Sequence, residues 1–175
     1  DNYGAKSNEY SEPAFSAFHR YGLSDWLTVG AAAEAADDVY NGSVETTFLV
    51  PFSAGVVTVE VAGSSTPSGR GWAGSLSHSY QNGKFGSSAV WTKYSTDYAT
   101  VGGRLSSFNL DEAGSVDASY ATDQWGSFSV GYARQNASDT GSRKVASAHY
   151  TYNLTRTLSV GVGISAVRTD AADTD

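Results

Sequence analysis

The chain has 175 residues, of which 40% are hydrophobic, a content too high for a disordered polymer and sufficient for one folded domain. Only 17% of the residues are charged, against roughly 25% in a typical soluble domain, and the net charge of -7 argues against a nucleic-acid-binding surface. There is no cysteine for a disulfide framework and no apolar run near the ~20 residues of a membrane helix, whereas a membrane β-barrel needs only ~10 weakly alternating residues per strand.

Alternating apolar and small residues along most of the chain predict an all-β, antiparallel transmembrane barrel section of ten meandering strands. Residues 1–12 are interpreted as a polar loop, 13–168 as the barrel segment and 169–175 as a polar tail. The predicted strands are Pro13–Tyr21, Trp26–Ala35, Ser43–Pro51, Gly55–Ser64, Gly71–Gln81, Lys84–Tyr94, Asn109–Ala121, Trp125–Gln135, Arg143–Tyr152 and Thr157–Arg168. Because the chain has no Met and no signal peptide, we expect it to be a mature or excised piece.

The predicted connections alternate between short and long. Short ones follow Tyr21, Pro51, Tyr80, Tyr120 and Tyr152, and longer polar ones lie at 36–42, 65–70, 95–108 and 136–142. Outer-membrane barrels have short periplasmic turns opposite longer outer loops, so this asymmetry favours a barrel. If the short turns are periplasmic, the first strand descends from the outer side, which predicts a section of a larger barrel.

Aromatic residues flank every predicted short turn. They are Tyr21 and Trp26, Phe48 and Phe52, Tyr80 and Phe85, Tyr120 and Trp125, and Tyr150 and Tyr152. Within the hairpin 118–134, Phe128, Val130 and Tyr132 alternate with serine and glycine, so one face of the strand is apolar. An aromatic girdle above an apolar band is typical of a membrane barrel.

Charged residues inside the predicted strands fall on the face opposite to the apolar one. Glu34, Glu45, Glu60 and Asp117 would give a mildly acidic lumen, and Arg20 would match part of this charge. We therefore predict these five residues as pore-lining.

Two predicted strands fit the alternation poorly. His78 shares its face with Trp72, Leu76 and Tyr80, and the run Phe85–Tyr94 has aromatic residues on both faces. A bulge or a shifted register is expected there.

Three stretches resemble the outer-membrane usher of the chaperone–usher pilus pathway. They are HRYGLSDWLTVGAAAEA (His19–Ala35), GVVTVEVAGSS (Gly55–Ser65) and WTKYSTDYATVG (Trp91–Gly102), and the resemblance is best over roughly residues 19 to 105. It implies an outer-membrane pore that passes folded pilus subunits received from a periplasmic chaperone. It also implies that the chain corresponds to barrel strands downstream of the usher's plug domain, and no subunit-recognition residue is transferred.

The sequence predicts no enzyme, no cofactor and no metal site. His19, His78 and His149 lie on different strands without ligand spacing, and no GxSxG motif marks a nucleophile. The ten-stranded outer-membrane proteases carry Asp–Asp and Asp–His pairs at the outer rim; here Asp37–Asp38 is read as a solvated turn, and an Asp–His pair is absent.

Two alternatives stay open at this point. A general outer-membrane porin shares every pattern except the usher resemblance. A soluble secreted β-sandwich or adhesin domain would explain the aromatic residues by ordinary cross-strand pairing.

Overall fold

The computed structural model describes residues 13–36, 38–102, 110–155 and 157–171, and these form one antiparallel sheet of ten strands in sequence order. The strands are β1 Ala14–Ser24, β2 Leu27–Ala36, β3 Val39–Leu49, β4 Val56–Thr66, β5 Gly69–Asn82, β6 Phe85–Tyr94, β7 Leu110–Thr122, β8 Gly126–Ala137, β9 Gly141–Asn153 and β10 Ser159–Asp170. The prediction of ten meandering strands is confirmed. The sheet is not closed, because β1 and β10 each pair with a single described neighbour.

The predicted asymmetry of the connections is wrong. β2 ends at Ala36 and β3 begins at Val39, the β4–β5 connection is equally short, and the β8–β9 connection is one residue longer. The polar residues of the predicted loops pair in the ladder, as Asn41 does with Ser64, because backbone hydrogen bonds form whatever the side chains are. Among the predicted long connections, only that from β6 to β7 is long.

The two ends of the sheet are named here by their connections. The turn rim carries the β1–β2, β3–β4, β5–β6, β7–β8 and β9–β10 connections, and its β3–β4 connection contains a short 3-10 turn at Pro51–Ser53. The loop rim is the opposite end and carries the β6–β7 connection, whose residues 103–109 lie outside the described residues.

The predicted irregularity in β6 is also wrong. β6 pairs with β5 and β7 without a register shift along its length, and shifts occur instead between Gly22 and Ser24 and between Leu110 and Glu112. Tyr94 faces inward because the following segment folds over that face, where its ring lies 5.7 Å from the ring of Tyr98. An aromatic residue on the inward face thus needs no bulge.

The sheet is a single layer whose large apolar side chains are exposed. Phe128, Val130 and Tyr132 share one face of β8 and are 48%, 57% and 47% exposed. The buried residues are small or few, namely Val39, Ala62, Ala73, Ala137 and Ser64. A β-sandwich would bury its apolar faces between two sheets, so the described strands contradict the soluble-sandwich alternative.

The two predicted chain ends fall partly outside the description. Residues 1–12 and 172–175 lie outside the described residues. β10 continues through Asp170, two residues into the predicted tail, because Thr169 and Asp170 pair with Arg143 and Ser142 of β9.

Candidate pore lining

The face opposite to the apolar one, called the inward face, surrounds an open hollow of about 1340 Å³. Small polar side chains from five successive strands line it, and they include Ser79, Ser88, Asp117, Ser129 and Ser147. At the turn rim the hollow is bordered by apolar residues, which include Trp26, Leu49, Pro51, Phe52 and Val56. A hollow shared by five neighbouring strands means that the sheet curves around this face. The curvature and the small polar side chains leave space that water can fill.

Arg20, Glu45 and Glu60 lie in one cross-strand row of the inward face, in which Arg20 pairs with Gly30, Gly30 with Glu45 and Glu45 with Glu60. The Arg20 guanidinium reaches over Gly30 and donates from Nε and Nη2 to the two carboxylate oxygens of Glu45, with Nη2 2.9 Å from Oε2. This bidentate pair offsets the repulsion between two acids placed directly opposite each other.

Gly30 makes this contact possible. A Cβ at this position would lie 2.6 Å from Oε1 and 2.7 Å from Cγ of Glu45, so any side chain would displace the glutamate. The glycine therefore provides the path along which Arg20 crosses β2 to reach Glu45.

Glu34 and Asp117 share the inward face but stand apart from this row. Glu34 lies four residues from Gly30 toward the loop rim, which is about 13 Å along the strand. Asp117 lies on β7, three strands beyond β4, and is displaced toward the turn rim. The structure thus places all five predicted residues on one face and brings three of them together. Among the described residues, no group of three or more His, Asp or Glu side chains is arranged to hold a metal ion.

A segment that sequence reasoning treated as an ordinary loop lies across the inward face of β3, β4 and β5. In this inward segment, Ser95–Ala99, the carbonyl of Ala99 and the hydroxyl of Tyr98 accept hydrogen bonds from Asn41 Nδ2 at 2.9 and 3.0 Å. The backbone N–H of Ala99 donates to Ser64 Oγ at 2.9 Å. These side-chain contacts fix the segment on the sheet.

Gly71 provides the room for the inward segment. A Cβ there would lie 2.2 Å from both the N and the Cα of Tyr98, which is closer than any real contact. Burial raises the pKa of the Tyr98 hydroxyl; the hydrogen bond from Asn41 opposes this shift, and the charges of Glu60 and Glu34 add to it. Tyr98 therefore remains a neutral phenol.

The inward segment shows what sequence reasoning missed. The alternation pattern indicates no role for Asn41 and Ser64, although the small residues Gly69 and Gly71 and the polar Ser64 mark a place where another backbone can approach. The missing information is the register that brings β3, β4 and β5 together beneath Tyr98.

The opposite, outward face carries the predicted aromatic girdle at the turn rim. Tyr80 and Phe85 have ring centroids 6.0 Å apart, and Phe128 and Tyr150 stack across β8 and β9 at 4.5 Å. His78 also faces outward and its Nε2 hydrogen-bonds to the carbonyl of Ala54 at 2.8 Å, which satisfies its polar ring near the rim. Within the described ranges, no helix is long and apolar enough to cross a membrane.

Comparison with known proteins identifies a solved structure with a similar fold. No protein-family model matches the sequence, and no curated protein sequence matches it. Among solved structures, the chain is similar to the P pilus usher (PapC) translocation pore, with a TM-score of 0.69 and 19% sequence identity. The match covers 91% of this chain and 36% of the other, so the chain spans about a third of that structure. The usher resemblance read from the sequence is confirmed at the level of structure, and the chain has the fold of a section of an usher pore barrel.

Proposed function

We propose that this chain is part of an outer-membrane usher pore that translocates and assembles pilus subunits delivered by a periplasmic chaperone. The observation that carries the proposal is the similarity to the P pilus usher translocation pore over 91% of the chain. The three sequence stretches that resemble ushers support the same assignment independently of the backbone comparison.

The outward face supports a location in the membrane. Its valines, isoleucine and aromatic rings form a continuous exposed surface, and exposed apolar patches of this extent are unfavourable in water. Placing such side chains in lipid gains roughly 25 cal/mol per Å² of apolar area removed from water. The aromatic girdle at the turn rim then lies at the boundary between hydrocarbon and headgroups.

The inward face supports the passage of a folded protein. On β5 to β9, small serine side chains and Asp117 line the hollow, and such polar groups keep water along the path of a passing subunit. Arg20, Glu34, Glu45, Glu60 and Asp117 are proposed to line the channel and keep it hydrated, and the proposal assigns them no catalytic role.

Deleting the gene for the full-length protein tests the proposal. We expect loss of the corresponding surface pili in electron micrographs, accumulation of chaperone–subunit complexes in the periplasm, and restoration of both by the wild-type gene. Fractionation should find the full-length protein in the outer membrane.

The porin alternative predicts a different result. Uptake of small solutes would fall in the deletion strain while piliation stayed normal. That outcome would overturn the usher assignment and leave the barrel fold intact.

A further inference from the structure

The outward face of the last three strands carries a row of positive charge near the loop rim. Arg134 of β8 pairs with Lys144 of β9, and Lys144 pairs with Arg168 of β10, so the three cations lie side by side on one face. At the usual strand spacing the row is about 10 Å long. The same face of these strands carries a single acid, Asp170, which leaves a net charge of +2 on the row.

Asp170 shows that the row holds an anionic oxygen. Its carboxylate accepts hydrogen bonds from Arg168 Nε at 2.8 Å and from Lys144 Nζ at 3.0 Å. Arg134 has a different partner, since its Nε donates to the uncharged Oδ1 of Asn136 at 3.1 Å. One carboxylate therefore forms ion pairs with two of the three cations. Arg134 has no acidic ion-pair partner among the described residues.

An apolar groove of about 350 Å³ runs beside the row on the same face and ends at Arg134. Leu76, Trp91, Val116 and Tyr132 line its sides, and Gly114 opens its floor because glycine has no side chain there. Glu112 also borders the groove, where it accepts a hydrogen bond from Trp91 Nε1 at 2.8 Å, and Lys93 lies directly opposite it on β6 and offsets its charge. The apolar groove and its cationic end are together complementary to an anionic amphiphile, whose apolar tail would fit the groove and whose anionic headgroup would fit the cations.

We propose that this surface binds a membrane lipid whose headgroup carries more than one phosphate. One acyl chain lies in the groove between Trp91 and Tyr132, and the phosphates bind Arg134, Lys144 and Arg168. The inference rests on the proposed function, because only a chain that spans a membrane presents this face to lipid. Guanidinium and ammonium groups bind phosphate through charge-assisted hydrogen bonds.

Charge complementarity selects the lipid class. A zwitterionic headgroup has no net charge to match a row of net charge +2, and a single phosphate does not span a row of about 10 Å. A headgroup with two phosphates matches both the charge and the length of the row.

Lipid binding to the purified full-length protein in mild detergent tests the proposal by native mass spectrometry. The probe is bisphosphorylated lipid A, with monophosphorylated lipid A and phosphatidylglycerol as comparison lipids. We expect the bisphosphorylated form to bind best, and each cation replaced by alanine to weaken its binding roughly fivefold. Arg143→Ala is the matched control, because Arg143 neighbours Lys144 on the strand but faces inward, and it should bind as the wild type does.

A second variant separates lipid binding from a structural role of the row. Asp170→Asn removes the carboxylate that competes with phosphate, so lipid A binding should rise roughly fivefold, whereas a purely structural ion pair predicts no increase. A heat-modifiable gel band confirms folding of each variant. Unchanged lipid A binding by the triple alanine variant, or equal binding of all three lipids, would overturn the inference while leaving the pore intact. Absence of the wild-type protein from the membrane fraction would overturn the proposed function as well.

Discussion

The two faces of β8 are built from neighbouring residues with opposite tasks. Val130 faces outward between Ala118 and Ala148, while Ser129 faces inward between Ser119 and His149. One residue along a strand therefore changes the environment of a side chain from apolar to polar, because successive side chains point to opposite sides of a sheet. Backbone pairing therefore holds the sheet together, and the side chains of the two faces are free to differ.

The largest expected effect on stability comes from placing a charged side chain on one face or on the other. Val130→Arg places a guanidinium on the outward face and should lower the free energy of unfolding by about 2–4 kcal/mol if Val130 lies near the bilayer midplane, because a charge in hydrocarbon is costly. Ser129→Arg should cost at most about 1 kcal/mol, because its guanidinium stays hydrated. Guanidinium-chloride unfolding of the full-length protein refolded in lipid vesicles measures both, and equal losses would contradict the assigned faces.

The inward segment gives the next largest effect. Gly71→Ala places a Cβ against the backbone of Tyr98, which cannot move as a flexible side chain can, so the free energy of unfolding should fall by roughly 1–3 kcal/mol. Gly63→Ala is the control, since its Cβ would meet nothing closer than the carbonyl oxygen of Gly71 at 3.9 Å. The same denaturant titration compares the two variants. A similar loss for both would show that the inward segment is not held against Gly71.

The strands could be predicted from the sequence because their information is local. Alternation such as Phe128, Val130 and Tyr132 with small residues is visible within six positions. The same alternation predicts that the candidate acids share the face opposite to the apolar one, as the pairing of the strands shows. Their role in lining a pore is a separate prediction.

The connections and the site geometry could not be predicted, because they depend on contacts distant in sequence. The tight β2–β3 turn extends strands through residues whose polarity suggested a loop. The contact of Tyr98 with Asn41 joins residues 57 positions apart. Arg20 reaches Glu45 only because Gly30 lies between them, and that relation follows from the register of three strands.

The charged residues of the inward face should affect the ion selectivity of the pore. Arg20→Gln removes the positive charge that pairs with Glu45 and leaves Glu45 and Glu60 side by side on the inward face. We expect the ratio of cation to anion permeability to rise about fourfold, because one charge acting at ~10 Å through water changes the energies of a cation and an anion by about 0.4 kcal/mol each, in opposite directions. Reversal potentials of the full-length protein in planar bilayers under a salt gradient measure it. Arg70→Gln removes the same charge from the outward face of β5 and should leave the ratio unchanged.

The smallest effect is expected at the turn rim, where Lys84 and Asp123 join neighbouring turns with 2.7 Å between Nζ and Oδ2. Their side chains are 54% and 83% exposed, and exposed ion pairs contribute little to stability. The hydrogen bond to Asp123 raises the pKa of Lys84. Any stability that the pair contributes is therefore present below the ordinary lysine pKa and is lost as pH rises through the raised pKa.

Because this contribution is small, wild type and Lys84→Gln should unfold at the same denaturant concentration from about pH 6 to pH 9. The backbone bond from Ala121 N–H to the Lys84 carbonyl, at 2.7 Å, survives the substitution and keeps the two turns joined. A clear loss of stability in this range would mean that the side-chain pair, and not the backbone ladder, holds this rim together.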